Sequence, residues 1–465
     1  MDTTMNKWKD LEIAIVTPLF SSGADKKWVE IRPQSIKGEL RFWFRAMMYG
    51  LLKGKWENTK PILQKLEARI FGNTDHSSPL QIRIKPKKTI LQKTEEICDL
   101  SKTPGIFYFG FPFYRVERGN NYILNKANLQ PKSTFILSYC LNSNSSETPQ
   151  IIEDVMLGSL WLMLHFGGLG ARTRRAFGGL QLLLPASVNS QLDFSFPKNS
   201  TDIVSYFSTN LKSIEQVFSK FADAEVGSIF EKSNNTPKFS SFMKWKTSFI
   251  TSPRWTTWQV AMDDLGQFLR TFRNNSTNAP NLHTTTPDYK NVISKFLPTF
   301  PSNKIITKTD FWLTQSHTVT KWDLRNDAFG LPLQIRSQTR SNEASRLFAK
   351  YPKERFNIST KIVWQERNNQ QIQDGHWHDR RSSPLFIRLL PITDKQWVAI
   401  ILLLDAEFLP PGATEFLDTT GKWPYVKEVP KPSAKQIDVA DLSILYDFLN
   451  SIEKQKNLSH LGNLP

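Results

Sequence analysis

HFGGLGARTRRAFGGL, residues 165–180, is the stretch from which the rest of the chain can be placed. Five of the 21 glycines (Gly167, Gly168, Gly170, Gly178, Gly179) and three arginines (Arg172, Arg174, Arg175) fall inside it, and no acid occurs between Asp154 and Asp193. Glycine permits positive φ and close approach of backbone, so successive N–H groups can line a concavity that suits an anion. Arginine adds a planar fork able to grip phosphate at two points. The combination predicts a cradle for a phosphate backbone. It is not a nucleotide P-loop, because no Gly-Lys-Ser/Thr follows, nor a dinucleotide fingerprint, because it follows a helical segment and precedes a strand.

The helical segment is residues 151–165, spaced by Ile152, Val155, Leu160, Trp161 and Leu164, and the strand is residues 180–184, stopped by Pro185. Further upstream, residues 11–16 read as a strand ended by Thr17-Pro18. A helix opens at Ser35 with Ile36, Leu40, Phe44, Met47 and Leu51, and a short helix covers residues 61–71 up to Gly72. Residues 79–85 alternate, with Leu80, Ile82 and Ile84 inward, and residues 134–141 form another strand. The six aromatics within residues 106–116 read as core and hairpin filler. The order is βαββαβ, that of a ferredoxin-like domain.

In the second half, residues 211–221 suggest a modest helix in a polar connector, residues 255–272 a helix, residues 384–391 and 396–405 a hairpin, and residues 439–452 a closing helix. Residues 274–287 are rich in Asn, Ser, Thr and Pro and read as a loop. The expectation is an α+β chain of two ferredoxin-like (RRM-like) domains with insertions, residues 1–190 and 238–465, joined by a connector over residues 191–237.

The chain has 465 residues, with 60 Lys and Arg against 43 Asp and Glu, a formal net charge of +17. That surplus, with 32 Phe, 14 Trp and 10 Tyr, fits a nucleic-acid partner, since cations neutralise phosphates and flat rings stack on bases. Lys37, Arg41 and Arg45 fall at i, i+4 and i+8, a stripe drifting by only ~40° per step, with Glu39 the one acid near them in sequence. The stripe reads as a phosphate or partner contact. Cys98 and Cys140 are too few and too far apart for a disulfide scaffold or a cysteine zinc site, which points to a reducing cytoplasm. The longest apolar run, residues 397–404, falls short of the ~20 residues that span a bilayer, and the acidic start (Asp2, Asp10, Glu12) lacks the hydrophobic stretch of a signal peptide. No membrane association is expected.

Signals for chemistry are sparse. His376, His378 and Asp379 lack a third spaced ligand, and Arg380 and Arg381 beside them oppose a metal cation; the two arginines read instead as an RNA or partner contact. His165 could act as a general base in RNA cleavage, although a lone histidine at a helix end is more often structural. There is no HExxH, GxSxG or paired-carboxylate signature, and neither a metal nor a cofactor is expected.

GGLGARTRR (residues 167–175), together with IRPQSIKGELRFWFRAMMYG (residues 31–50) and EARIFGN (residues 67–73), resembles the RAMP superfamily, the RNA-binding proteins of CRISPR effector complexes. Within it, these motifs are similar to the family of subunit one of the Cmr, or type III-B, complex. AFGLPLQ (residues 328–334) and RRSSPLFIRLLPI (residues 380–392) resemble segments which that family carries in its C-terminal half. The resemblance implies two RAMP domains in a non-catalytic subunit that needs no cofactor. It further implies that guide (CRISPR) RNA and target RNA are held near the 3′ end of the guide, beside other Cmr-type effector subunits. It carries over to Lys37, Arg41 and Arg45 and to the loop over residues 167–179. Ala176 departs from it, since glycine is expected there, and a positive φ would strain alanine. The alternative is a Cas6-like, metal-independent guide-RNA processing endonuclease acting through His165, against which stands the mid-chain position of the glycine loop.

Overall fold

Leu11, Ile13 and Ile15 are buried and the residues between them are not, which makes Lys9–Ile15 the half-buried strand β1. The computed structural model describes residues 8–23, 28–94, 97–98, 102–116, 122–142, 148–183, 191–226, 237–274, 382–407 and 442–464, and strand segments at 334–336, 357–364, 367–368, 371–372, 377–378 and 413–420. After β1 come α1 (Pro33–Leu52), α2 (Trp56–Phe71), β2 (Leu80–Lys88), α3 (Pro104–Gly110), β3 (Thr134–Leu141), α4 (Pro149–Phe166) and β4 (Leu180–Leu183). The strands lie in the order β2-β3-β1-β4, all antiparallel, with Ile13 opposite Phe135 on one side and Leu182 on the other. This is the order that a βαββαβ chain adopts when α1 and α4 carry the two crossovers. Helix α2 begins at Trp56, earlier than its spacing predicts, and carries Pro61 internally.

The chain continues through α5 (Ile203–Val226), β5 (Trp245–Thr251), α6 (Trp258–Asn274), β6 (Leu385–Thr393), β7 (Gln396–Leu404), α7 (Ser443–Glu453) and β8 (Ser459–Leu464). The second sheet has the order β6-β7-β5-β8, again antiparallel, so its strands and helices repeat the connectivity of the first. The result is a mixed α+β fold with two four-stranded antiparallel sheets. Strand β8 is not foreseen in the sequence, because its residues are mostly solvated and lack an apolar alternation. Two units can be separated. The first, residues 1–270, 385–407 and 449–465, holds both sheets. In the second, residues 271–384 and 408–448, Asn357–Trp364 pairs with Gln334–Arg336, Trp377–His378 and Ala413–Thr420. All but the first residue of the Asn/Ser/Thr-rich stretch, and residues 328–333, lie outside the described residues. Among the described residues no helix is long and apolar enough to cross a membrane.

Helix α4 is apolar around its whole circumference and is accordingly buried on nearly every side from Ile152 onward. Its end meets α5, where the Phe166 and Phe207 rings lie 5.2 Å apart, and Phe207 in turn lies 4.9 Å from Phe249 of β5. From α1, Trp43 reaches Phe386 of β6 at 5.5 Å and Phe44 reaches Phe218 of α5 at 5.6 Å. Both sheets therefore share one core. Helix α5 is far longer than the expected 211–221 segment. It buries Ile203, Phe207, Leu211, Ile214, Phe218 and Phe221 as a continuous stripe, while the Ser- and Thr-rich residues between them disguise it as connector.

Three polar side chains inside this core hold it together through hydrogen bonds. Glu153 receives Lys9 Nζ at 2.6 Å on each carboxylate oxygen, and the Tyr139 hydroxyl donates to it. His165, with no exposed surface, donates from Nδ1 to the Trp161 carbonyl at 2.8 Å, has Nε2 2.8 Å from the Tyr206 hydroxyl, and stacks on the Trp161 ring at 3.9 Å. Arg388 of β6 is 1% exposed. Its Nε and Nη2 donate to the Leu164 carbonyl at 3.2 and 3.1 Å, and Nη2 also donates to Leu180 at 2.6 Å. The Leu164 carbonyl belongs to the last turn of α4, where helical partners run out and a cation is favoured. Burial pulls the Arg388 pKa down to about 9, which leaves it charged at neutral pH.

Two outcomes follow from these groups. Arg388→Ala leaves two carbonyls without their donor and opens a cavity, at a cost of ~3–5 kcal/mol; the midpoint of thermal unfolding should fall by several degrees, and Arg388→Lys should rescue it only in part. Burial lowers the pKa of His165 to about 3, with the Trp161 hydrogen bond opposing and Arg388 adding to the shift. Below pH 6.5 the unfolded chain therefore takes up a proton that the folded one refuses. Stability should fall by ~1.4 kcal/mol per pH unit from pH 6.5 down towards pH 3. In urea unfolding at pH 7 and pH 5, wild type should lose ~2 kcal/mol more than His165→Phe; equal losses would disprove the assignment.

Candidate nucleic-acid interface

Residues 167–179, between α4 and β4, fold back over residues 16–20 and against β6. The Gly178 and Ala171 N–H groups donate to the Pro18 and Phe20 carbonyls at 2.9 and 2.8 Å, and Leu169 N–H closes the loop on the Gly178 carbonyl at 2.9 Å. Ala176 N–H donates to Ile387 of β6 at 2.9 Å. The Thr17 hydroxyl accepts from Gly179 N–H at 2.9 Å and donates to the Ala176 carbonyl at 2.6 Å. These backbone donors, which the sequence suggests for an anion, are engaged within the protein.

The glycines likewise make room for protein. A Cβ on Gly167 would strike the Trp43 indole, one on Gly168 the Gly178 carbonyl, and one on Gly170 the Phe20 carbonyl. Gly178, at φ +65°, would place a Cβ 2.0 Å from the Leu169 carbonyl oxygen, and Gly179 would place one 1.7 Å from Arg388 Nη1. Neither position admits a side chain. Ala176 does sit at positive φ, +63°, the strained setting expected at the one position where glycine is missing.

What the loop turns outward is its arginines. Residues 171–174 are half-exposed. The Arg172 guanidinium lies over the Phe111 ring at 4.9 Å, and Arg174 lies over Phe386 at 4.3 Å and Phe42 of α1 at 5.7 Å. Arg175 turns inward, 7% exposed, donating to the carbonyls of Arg174 at 3.0 Å and Leu385 at 3.4 Å. The acid that feels this face is Glu39, whose pKa burial raises to about 7 against the opposing charge of Arg174. Near neutral pH it is therefore only partly ionised.

The stripe on α1 is placed differently. Arg41 Nε lies 2.8 Å and Arg45 Nε 3.6 Å from the Glu67 carboxylate on α2, and Arg41 also donates to the Gly72 carbonyl. Lys37 Nζ donates to the Leu80 carbonyl at 3.4 Å, and burial, with Arg41 nearby, lowers its pKa. The stripe thus ties α1 to α2 and β2, while the glycine loop rests on Phe42, more than 90° round the helix from Lys37 and Arg41 if judged at roughly 100° per residue. Arg380 and Arg381 lie outside the described residues, as do His376 and Asp379. Among the described residues no group of three His, Cys, Asp or Glu could hold a metal ion. His165, the base on which the nuclease alternative relies, is the enclosed core residue described above.

Sequence reasoning missed Phe111, Phe42 and Phe386 as partners of the loop. For Phe111 the hint was the run of six aromatics, and it does not say which ring faces out: Phe109 and Phe113 are buried, whereas Phe111 is 41% exposed.

The RAMP superfamily matches residues 12–181, the span of the first sheet with its loop. The CRISPR system Cmr subunit Cmr1-2 of Pyrococcus furiosus is 28% identical over 181 residues, which cover 37% of this chain and 92% of that protein. Cmr1-1 of the same organism is 25% identical over 255 residues, 53% of this chain and 66% of that protein. In fold, the crystal structure of apo Cmr1 from Pyrococcus furiosus matches 98% of both chains with a TM-score of 0.50 at 16% identity. With the first module matched in sequence, its arginine loop inside the match, and the fold shared along the length, residues 12–181 belong to the RAMP superfamily and the chain is distantly similar to Cmr1 subunits of CRISPR Cmr systems.

Proposed function

We propose that the chain is a non-catalytic, RNA-binding subunit of a type III-B CRISPR ribonucleoprotein, holding guide RNA and target RNA near the 3′ end of the guide beside other Cmr-type subunits in the cytoplasm. The observation that carries this reading is the pair Arg172 and Arg174, laid on aromatic rings at the surface of a loop that contains no acid. A guanidinium laid on a ring remains a cation with a planar fork suited to phosphate. The formal charge of +17 and the kinship with Cmr subunits support the same reading.

On this reading the chain comprises two ferredoxin-like RAMP domains, residues 1–190 and 238–465, with α5 in the connector over residues 191–237 packed into their common core. Residues 167–179 form the RNA-binding loop: Gly167, Gly168, Gly170, Gly178 and Gly179 shape it, Arg175 braces it, and Arg172 and Arg174 meet the RNA. Lys37, Arg41 and Arg45 add a second, weaker basic surface, and Arg380 and Arg381 further contacts. Specificity comes from base pairing with the guide, while the protein reads backbone and shape.

In filter binding with single-stranded RNA at several salt concentrations, the double variant Arg172→Ala/Arg174→Ala should bind ~10-fold or more weakly, and its log–log salt slope should be shallower by about one per arginine. Unchanged affinity and slope would overturn the assignment. The raised pKa of Glu39 adds a pH dependence. Between pH 6 and pH 8 its carboxyl ionises and competes with phosphate for Arg174, so RNA affinity should weaken severalfold as pH rises, and Glu39→Gln should flatten that trend.

A further inference from the structure

We propose that Phe111 is a stacking site for a single unpaired nucleobase of the bound RNA, with Arg172 beside it to meet the adjoining phosphate. This deepens the RNA-binding reading and rests on it. The ring is 41% exposed, although its neighbours Phe109 and Phe113 are each 1% exposed. A phenyl left in water beside a guanidinium offers two things that a nucleotide needs, a π-face for the base and a cation for the phosphate.

The residues on either side of Phe111 in the chain are held firmly. Phe113 stacks on Phe20 at 3.7 Å, both meet Phe177 edge-on at 5.3 and 5.6 Å, and a Cβ on Gly110 would strike the Phe177 ring. Helix α3, which leads into Phe111, is held from the other side. The Asp263 carboxylate of α6 accepts from Gly105 N–H at 2.7 Å and Ile106 N–H at 3.1 Å, and Gly105 and Gly266 bring the two backbones into direct contact. Pro112 follows at once and restricts the turn. From the loop side, Arg172 holds a left-handed backbone, φ +64°, in the conformation that sets its guanidinium over the ring. An exposed ring, a strained arginine and a braced helix meet at one contact, which is the arrangement of a preorganised site rather than of a chance surface residue. Stacking tolerates any base, which suits a protein whose RNA sequence varies with the guide.

The test uses the full chain and a mixed-sequence single-stranded RNA carrying 2-aminopurine at successive single positions. Wild type and Phe111→Trp should quench one position on binding. Phe111→Leu, which keeps an apolar side chain but no π-face, should lose that quench and bind roughly 5- to 100-fold more weakly with the salt slope unchanged. A thermal midpoint equal to wild type would confirm that the leucine variant is folded. If Phe111→Leu binds and quenches like wild type while Arg172→Ala/Arg174→Ala is weakened, the stacking site is refuted and the RNA-binding loop stands. If neither variant alters binding, both readings fall. Loss of Cmr-type subunits from Phe111→Leu with RNA binding and quench intact would refute stacking in favour of a protein contact.

Discussion

The buried guanidinium of Arg388 is the constraint on which the rest of the structure depends. Its two carbonyl partners, Leu164 and Leu180, stand immediately before and after the glycine loop, so one side chain from the second sheet clamps the base of a loop that belongs to the first. The neighbouring carbonyls of the same strand, Leu385 and Ile387, hold Arg175 and Ala176 from within the loop. Lysine could not do this work, because only a planar fork reaches two separate carbonyls while filling a flat space. No carboxylate balances the charge among the described residues. The fit is close enough that Gly179 can carry no side chain at all.

The element order of the first sheet was legible in the sequence, because strand and helix periodicities survive wherever an element buries one face, as in Leu11, Ile13 and Ile15 or Ile36, Leu40 and Phe44, whereas strands β5 and β8 of the second sheet were not. What escaped was set by tertiary contacts. Spacing identifies the glycines of residues 167–179 as places of close approach, but it cannot tell a protein carbonyl from a phosphate, and here the approach is to carbonyls, an indole and Arg388. Glu67 lies too far along the chain from Lys37, Arg41 and Arg45 for a sequence reading to see that it neutralises part of their stripe. Arg388, embedded in LFIRLL, carries no sequence signal of its role; a strand covered on both faces buries it. The division of labour among the loop's residues was not legible either.

Net charge alone would have been a poor guide to the interface. Lys9, Lys87, Lys238 and Lys244 are each paired with a carboxylate, on Glu153, Glu12, Glu407 and Asp405 respectively. Such pairs fix side chains by cancelling charge. The outer arginines of the loop are also laid on aromatic faces, Arg172 on Phe111 and Arg174 on Phe386 and Phe42.

The repeated strand order gives one last consequence. Both sheets have a connection from their second crossover helix into their fourth strand, residues 167–179 in the first and residues 454–458 in the second. Only the first is long enough to carry a basic loop. The second repeat contributes its edge strand instead, as an anvil beneath its twin's loop. A change in β6, far away in sequence, is therefore transmitted to the loop of the other repeat through the Leu385 and Ile387 carbonyls and Arg388, so two architecturally equivalent halves are mechanically unequal, one carrying the loop and the other its foundation.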